Sequence, residues 1–437
     1  MELIDKIKEN KANIVVVGLG YVGLPLAVSF AEKGFNVIGY DISEKKVNLI
    51  NRGKSDIIDV CSNRINKLIL NGNFYATKEK DCLGNADVII ICVPTPLTKT
   101  FEPDISYIKE AMKDILKYFS GNTLIVLEST TYPGTSREII HQPLIELGFM
   151  LNQDYYICYS PERVDPGNPA YKTENTPKVV GGISKKSTNI GKELYGQVVQ
   201  HVIPVATTEV AEMSKLLENT FRSINIAFIN EMALLCEKMN INIWETIDAA
   251  STKPFGFMRF NPGPGIGGHC IPLDPVYLSW KAKESQFFSK FIELAQETNQ
   301  MMPEYMVSKA MMALNQVKKP INSSKVLLIG MAYKENIDDL RESPGIEIFE
   351  KLENLGADVS FCDPLAKNFI DNKGVIHKSI ELNYQKIKDF DLVILFTCHD
   401  LFNISEIAKH SKLILDTKNY LGGDFAHKTI CFGNNIV

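Results

Sequence analysis

Cys270 lies in the stretch GPGIGGHCIPLDP, residues 263–275, behind a glycine-rich run and ahead of two prolines and Asp274. Glycines let backbone approach a partner closely and prolines stiffen the chain after them, so such a stretch costs chain entropy without filling a core and reads as a site. A thiolate beside a hydride acceptor can add to an aldehyde, lose hydride from the adduct and leave a thioester for water to hydrolyse. That chemistry needs an acidified thiol and a base. Asp274 stands four residues beyond Cys270, and Lys215 and Asn219 fall one turn apart on one face of a predicted helix. There they can stabilise an oxyanion and share a water with Asp274. By spacing alone the same three side chains read equally as a solvated lysine, a solvated asparagine and a turn-forming aspartate. A zinc ion held by His269 and Cys270 lacks the C-x-x-C or paired-histidine spacing that such sites use.

The hydride acceptor has its own signature. VVVGLGYVGLPLA places Gly18, Gly20 and Gly23 in the G-x-G-x-x-G spacing, with Tyr21 and Val22 inside it. It sits between a predicted strand and a predicted helix, and Asp41 ends the next strand. Gly18 permits the tight turn, Gly20 lets backbone reach a pyrophosphate, and Gly23 allows close helix-to-strand contact at a helix N-terminus that favours anions. Asp41 suits the adenosine ribose hydroxyls and repels a 2′-phosphate, which favours NAD over NADP, although Lys46 nearby softens that preference. Thr95 in CVPTPL and Thr131 in LESTTYPGTS lie where strands give way to loops at the sheet's carboxyl edge, the ligand edge of open α/β folds, though threonines there are often simple caps.

The elements that position these residues follow from hydrophobic period. NIVVVG at 13–18, NVIGYD at 36–41, DVIIICV at 87–93 and TLIVLEST at 123–130 are buried-strand runs separated by helical segments at 24–34 and 104–119, a doubly wound α/β pattern reaching to residue 205. From Thr208 to about Ala250, and again over 285–315, the pattern is helical, giving a helical middle domain at 206–315 that can supply an oligomer interface. A second α/β region fills 316–437, with strands at 325–333, 358–364, 391–398 and 412–419 and a helix at 345–355. It echoes the first, but Gly330 stands alone where the first has three glycines, so it is expected to bind a different nucleotide-like ligand.

Composition sets outer limits. The 437 residues are 45% hydrophobic and 23% charged, and the formal net charge of −5 argues against general nucleic-acid or anionic-membrane binding. The first residues, MELIDKIKENKANIVVVG, combine charges with a five-residue apolar run, too short for a signal peptide core or a span, and predict a cytoplasmic protein without a membrane partner. Nine cysteines, scattered and mostly within apolar runs, suit buried thiols in a reducing compartment.

Taken together, GLGYVGLPLA, CVPTP, SPERVDPGN, EMSKLLENTFRSINIAF, GPGIGGHCIPLDP and GMAYKENIDDLRESP resemble the UDP-sugar 6-dehydrogenases, NAD-dependent enzymes that oxidise a nucleotide sugar's C6 alcohol to a carboxylate. The resemblance implies two Rossmann-like domains joined by a helical dimerisation domain, and a homodimer or higher homo-oligomer. It makes Cys270 the nucleophile, matches Lys215, Asn219 and Asp274 to its partners, and gives Glu162 and Thr131 roles in handling water and protons. Glu162, Arg163, Lys215, Asn219, Gly263, Gly265, Gly267 and Lys334 then contact substrate. Arg341 lies on the cofactor or substrate side, and Arg259 reaches the neighbouring subunit's substrate. Guanidinium and ammonium groups suit a diphosphate even in an acidic protein. The chain departs from the UDP-glucose form G-G-S-C-F-P-K-D at His269, Ile271 and Leu273. The form GGHCIPLDP is similar to members acting on N-acetylated UDP-hexosamines, which puts UDP-N-acetylglucosamine first, the manno and galacto epimers and UDP-glucose behind it, and surface polysaccharide precursors as the product class. A two-electron hydroxyacid or polyol dehydrogenase shares the first domain and the helical middle but leaves the third domain and the cysteine loop unexplained, and a dinucleotide sensor without catalysis makes Lys215, Asn219 and Cys270 ordinary structural residues.

Overall fold

The structure is a computed structural model that describes residues 2–57, 59–98, 100–164, 168 and 170–434. The chain forms two compact units, one of Met1–Glu218 with Val276–Phe287 and the other of Asn219–Pro275 with Phe288–Val437.

The first unit is built on eight strands: β1 (Asn13–Val17), β2 (Asn36–Tyr40), β3 (Phe74–Thr77), β4 (Val88–Ile91), β5 (Thr123–Leu127), β6 (Tyr155–Tyr159), β7 (Lys178–Gly182) and β8 (Val202–Val205). Their order is β3-β2-β1-β4-β5-β6-β7-β8. Every neighbouring pair is parallel except β6 with β7. Strands β4, β5 and β6 are buried along their whole length, as strands covered on both faces must be. Successive residues feed opposite faces: Val16 and Ile90 join Leu24, Phe30 and Tyr195 in one core, whereas Val15 and Ile91 join Ile115 and Tyr159 in another. This is the doubly wound arrangement expected from the alternating runs. The sequence reading did not name β3, β6, β7 or β8, and the antiparallel step at β7 has no counterpart in a simple βαβ count.

The second unit carries β9 (Lys325–Ile329), β10 (Asp358–Cys362), the antiparallel pair β11 (Asn368–Ile370) and β12 (Ile376–Lys378), then β13 (Leu392–Leu395), β14 (Ile414–Asp416) and β15 (Thr429–Cys431). The main sheet has the order β10-β9-β13-β14-β15 and is parallel throughout. The helices Lys290–Gln316 and Pro344–Asn354 cover one face through Met302, Met306 and Ile348, and Ile407 of the helix Ile404–His410 covers the other.

Helix boundaries differ from expectation at two places. The long run after Thr208 stops at Met239, because Asn240 adopts a left-handed φ of 55°, and Asn242 then caps a separate helix, Ile243–Ser251, by accepting the amides of Trp244 and Glu245. Asp274 opens an unforeseen helix that runs to Glu284. The unit boundary falls inside Thr208–Met239, after Glu218, so the helical residues between 206 and 315 are shared between the two units. None of the nine cysteines is joined in a disulfide, and among the described residues no helix is long and apolar enough to cross a membrane.

Gly330, directly after β9, has φ +78°, and a Cβ built there would lie 1.9 Å from the Thr397 carbonyl oxygen. Gly330→Ala therefore meets both strain and a backbone clash. It should lower unfolding stability by about 3 kcal/mol or more, read as a drop in the urea midpoint of the second unit's transition.

Candidate active site

In the first unit the sheet order reverses between β1 and β4, and there Gly18 and Cys92 leave adjacent strands. Gly18 has φ +91°, and a Cβ on it would stand 2.7 Å from the Cys92 carbonyl oxygen; a Cβ on Gly23 would stand 1.8 Å from the Gly18 oxygen. Both glycines are demanded by the protein's own backbone. Gly20 differs, because nothing lies within 4 Å of its built Cβ, which leaves open the space that a pyrophosphate at this turn would use. Tyr21 is exposed, and Val22 packs its side chain on the core.

Asp41 Oδ2 accepts the amide of Leu19 in the fingerprint turn at 2.9 Å, and its Oδ1 accepts the amide of Ser43 at 2.8 Å. Lys46 pairs with Asp56 at 2.7 Å. That pair answers the lysine's charge and removes much of its expected leniency toward a 2′-phosphate. A cleft of about 830 Å3 opens here, lined by Gly18, Gly20, Asp41, Pro94, Tyr107 and Lys117 among others. These features fit NAD: open backbone for the phosphates, a carboxylate for the ribose and a mostly apolar cleft.

Along the same sheet edge, Lys215 is 6% exposed and donates to Thr130 Oγ1 at 2.5 Å. The hydroxyl presented to Lys215 is thus that of Thr130, while Thr131, named from the sequence, is fully buried and shares a 2.6 Å hydrogen bond with Thr135. In an extended segment neighbouring side chains point to opposite sides, and a motif alone does not set that parity. Thr95 is buried, and its carbonyl accepts the Tyr277 hydroxyl at 2.9 Å. Glu162 accepts the amides of Arg163 and Val164, each at 2.7 Å, and the ammonium of Lys178 at 3.3 Å. Burial alone would raise its carboxyl, but Lys178, the two amides and the charge of Lys215 hold it below the usual carboxylate range. Arg163 pairs with Glu218 at 2.7 Å. Residues 165–167 of SPERVDPGN lie outside the described residues.

One turn below Lys215, Glu212 accepts the amides of Gly134 and Ser136 at 2.6 and 2.9 Å, and burial pushes its carboxyl up to about 6. It anchors the start of the helical segment after Ser136, a role the sequence did not signal.

In the second unit, Asn219 donates to Asp274 Oδ2 at 2.6 Å, and the Asp274 amide donates to the Cys270 carbonyl at 2.9 Å. Asp274 is 1% exposed, so it is a held carboxylate and not a surface turn former. The glycines before Cys270 divide in purpose. A Cβ on Gly267 would stand 2.5 Å from the Tyr333 side chain and 2.8 Å from the Glu342 oxygen, and Gly265, with φ +126°, packs on Pro344. The Gly268 amide donates to the Arg341 carbonyl at 2.9 Å. These glycines let the cysteine loop lie against the segment 333–344. Gly263 is buried, donates its amide to Asn230 Oδ1 at 2.9 Å and packs on the aliphatic part of Lys418, which lies 3.7 Å from a Cβ built there.

Lys418 was missed by the sequence reading. It follows β14 at the sheet's carboxyl edge, and burial pulls its ammonium below the ordinary lysine value against the opposing charge of Glu335. Its one available signal was its place just past a strand, in LILDTKN. Lys334 is half-buried in the turn after β9. Arg341 is bidentate with Asp339, at 2.6 Å for the closest pair, and Arg259 is exposed and bonded to Asp248 and Asn261. The counterpart of Asp41 is Asp363, but its carboxylate is 1% exposed and takes five donors: the amides of Met331, Ala332, Leu365 and Ala366, and His399 Nε2 at 3.0 Å. Burial opposes its ionisation, yet His399 and the amides push its carboxyl down to about 2. Asp41 has one donor on each oxygen and stays partly exposed, whereas the five donors and the burial of Asp363 leave it no lone pair for a ribose.

The fold and cleft define an NAD-dependent dehydrogenase with a second nucleotide-binding unit. Residues 12–199 match the NAD binding domain of the UDP-glucose/GDP-mannose dehydrogenase family, residues 209–301 its central domain and residues 327–423 its UDP binding domain. The chain is 37% identical over 431 residues to the UDP-N-acetyl-D-mannosamine dehydrogenase of Methanococcus vannielii, covering 95% of this chain and 94% of that one. It is 34% identical over 424 residues to the NDP-N-acetyl-D-galactosaminuronic acid dehydrogenase of Ralstonia nicotianae, covering 93% and 95%. The solved UDP-D-ManNAc dehydrogenase of Pyrococcus horikoshii superposes with a TM-score of 0.88 at 31% identity, covering 97% of this chain and all of that one. The chain belongs to the UDP-glucose/GDP-mannose dehydrogenase family and is an NAD-dependent UDP-sugar dehydrogenase.

The two fingerprint glycines should separate by experiment. Gly20→Ala should fold with an unchanged melting temperature yet weaken NAD+ binding about tenfold or more by titration calorimetry, whereas Gly23→Ala should fail to give a cooperative melt.

Proposed function

We propose that this chain oxidises the C6 alcohol of a UDP-N-acetylhexosamine to the carboxylate in two successive two-electron steps, with UDP-N-acetylmannosamine as its first substrate. The observation that supports the chemistry most directly is buried Asp274, joined by its side chain to Asn219 and by its amide to the backbone of Cys270. A carboxylate sealed from water beside a cysteine loop has a partner and no solvent role.

When bound, NAD+ supplies the hydride acceptor, once for each step. In the first step the alcohol loses hydride and a proton and becomes the aldehyde. The Cys270 sulfur adds to the aldehyde carbon, forming a C–S bond while the oxygen takes up a proton to give a thiohemiacetal. Loss of a second hydride and proton leaves the thioester. Water adds to its carbonyl, the C–S bond breaks, and the thiol and the carboxylate are released. Lys215 and Asn219 stabilise the oxygen that gains negative charge, and Asp274 and Glu162 accept protons from the alcohol and the attacking water. Lys334, Arg341 and Lys418 are assigned to the UDP diphosphate, and Arg259 to the substrate of a neighbouring subunit.

The loop form GGHCIPLDP supports an N-acetylated sugar, as do the names of the relatives above. UDP-N-acetylglucosamine, first by the sequence reading, now stands behind UDP-N-acetylmannosamine, because those relatives are named for the manno and galacto sugars. A homo-oligomer is supported by the helix Thr208–Met239, on which exposed Met213, Leu217, Phe221, Phe228, Leu235 and Met239 fall within an arc of about 80° at 3.6 residues per turn.

NADH release should be measured with UDP-N-acetylmannosamine, UDP-N-acetylgalactosamine, UDP-N-acetylglucosamine and UDP-glucose. The manno sugar should give the highest kcat/KM, with two NADH per sugar. One NADH and a released aldehyde would overturn the covalent scheme. Cys270→Ser should cut uronate formation by about three orders of magnitude, and an undiminished yield would remove Cys270 from the reaction.

A further inference from the structure

A line of buried charge stands behind Glu162, and the scheme above makes no use of it. Among the described residues, strands β6 and β7 form the only antiparallel pair in their sheet, with Cys158 opposite Gly182 and Tyr159 opposite Gly181. Continuing that register three residues brings Glu162 opposite Lys178, the first residue of β7. A parallel β7 would begin at the far edge of the sheet. The antiparallel one starts at the carboxyl edge, and so sets its leading lysine among the ends of β5 and β6.

Lys178 Nζ lies 3.3 Å from Glu162 Oε2 and 2.7 Å from Glu128 Oε2, the residue that follows β5. The Tyr195 hydroxyl, from the helix Lys185–Gly196, donates to the other oxygen of Glu128, and its ring centroid lies 5.1 Å from the ammonium. Side-chain exposure is 5% for Lys178, zero for Glu128 and 15% for Glu162. The Ser160 hydroxyl ties the two strands together by donating to the Val179 carbonyl at 2.8 Å. Glu162 is thus the end of the chain Tyr195, Glu128, Lys178 that is nearest to solvent.

A buried ammonium between two carboxylates is costly unless it serves a purpose, since an apolar cluster would pack there with no charge to desolvate. We propose that Lys178, clamped from behind by Glu128 and Tyr195, is the positioning residue that fixes the Glu162 carboxylate for its work on water and protons at the sugar's C6. This rests on the reading of Glu162 given above. The Arg163 and Val164 amides hold one oxygen of Glu162, and Lys178 holds the other, so rotation of the carboxylate is closed from both sides. The titratable groups facing Glu162 are Lys178 from β7, Glu128 beyond it, Lys215 from the long helix and the neutral Cys92 thiol after β4, with Arg163 next in the chain turned to Glu218. Burial pulls Lys178 down and its two carboxylates more than restore it, while burial pushes Glu128 up, so Glu162 keeps the charge. The ionised form of Glu162 is present above its depressed value and lost as pH falls through it. Taking away Lys178 raises that value and moves the loss to higher pH.

The test is the pH dependence of kcat, measured with the best UDP-sugar on the full chain. Lys178→Met should lower the plateau kcat about tenfold by freeing the carboxylate to rotate, leave the KM for NAD+ unchanged and, separately, move the acid limb up by about one pH unit. Lys178→Arg should keep the wild-type limb. If Lys178→Met does not fold, Lys178→Met with Glu128→Gln removes both buried charges and leaves Tyr195 a neutral acceptor, and the same shift is expected. A folded variant lacking Lys178 whose acid limb matches wild type overturns the proposal, and so does failure of both variants to melt cooperatively. Glu162→Gln tests the underlying reading separately. Wild-type turnover in that variant removes Glu162 from the reaction, whereas its inactivation beside an unshifted Lys178→Met limb removes only the role of Lys178.

Discussion

Both sheets depend on one close approach of backbone to backbone. After the first strand of each unit the chain turns through a glycine of positive φ, Gly18 or Gly330, and the end of the adjoining strand presses a carbonyl into the place where a side chain would be. That approach allows the two strands to part at their carboxyl ends, and the parting creates the crevice in which open α/β sheets hold ligands. In the first unit the crevice is followed by an empty position at Gly20 and a carboxylate, Asp41, that meets the turn. In the second the same crevice is followed by Lys334, and its carboxylate faces inward.

The residues proposed for the reaction are held by burial more than by surface pairing. Asp274, Asn219, Lys215 and Glu162 each have a short, named partner, and none of them relies on an exposed ion pair of the kind that contributes little. Their supporting groups come from different elements: Thr130 from the end of β5, Lys178 from the start of β7 and the Cys270 carbonyl from an irregular loop. In the first unit the 2.5 Å from Lys215 to Thr130 and the 3.3 Å from Lys178 to Glu162 need the carboxyl edge of the sheet to be in register, so the sheet places Lys215 and Glu162.

Much of this was legible in the sequence because the signals are local. A strand buried on both faces needs no alternation of apolar and polar residues, and runs such as NIVVV and VIII announced themselves as continuous apolar segments. The three fingerprint glycines, Asp41 and the cysteine loop could be read because chemistry and spacing coincide within a few residues. The features that escaped depend on contacts distant in sequence or on parity. The choice of Thr130 over Thr131 turns on which way one residue of a strand end points. Lys178 looks like a charge at the margin of an apolar run until β6 and β7 pair, and Asn240 breaks a helix whose apolar period continues past it. The glycines of GPGIGG were readable as sites of close approach, but the partner that most of them approach is the protein's own segment 333–344.

Asp363 shows how a duplicated architecture can be given two occupants. Its five donors leave no lone pair directed outward, so the second sheet offers a dinucleotide no handle on its ribose. The two sheets thus share a strand, a glycine turn and a following aspartate, yet only the first leaves that aspartate able to accept a ligand's hydroxyl.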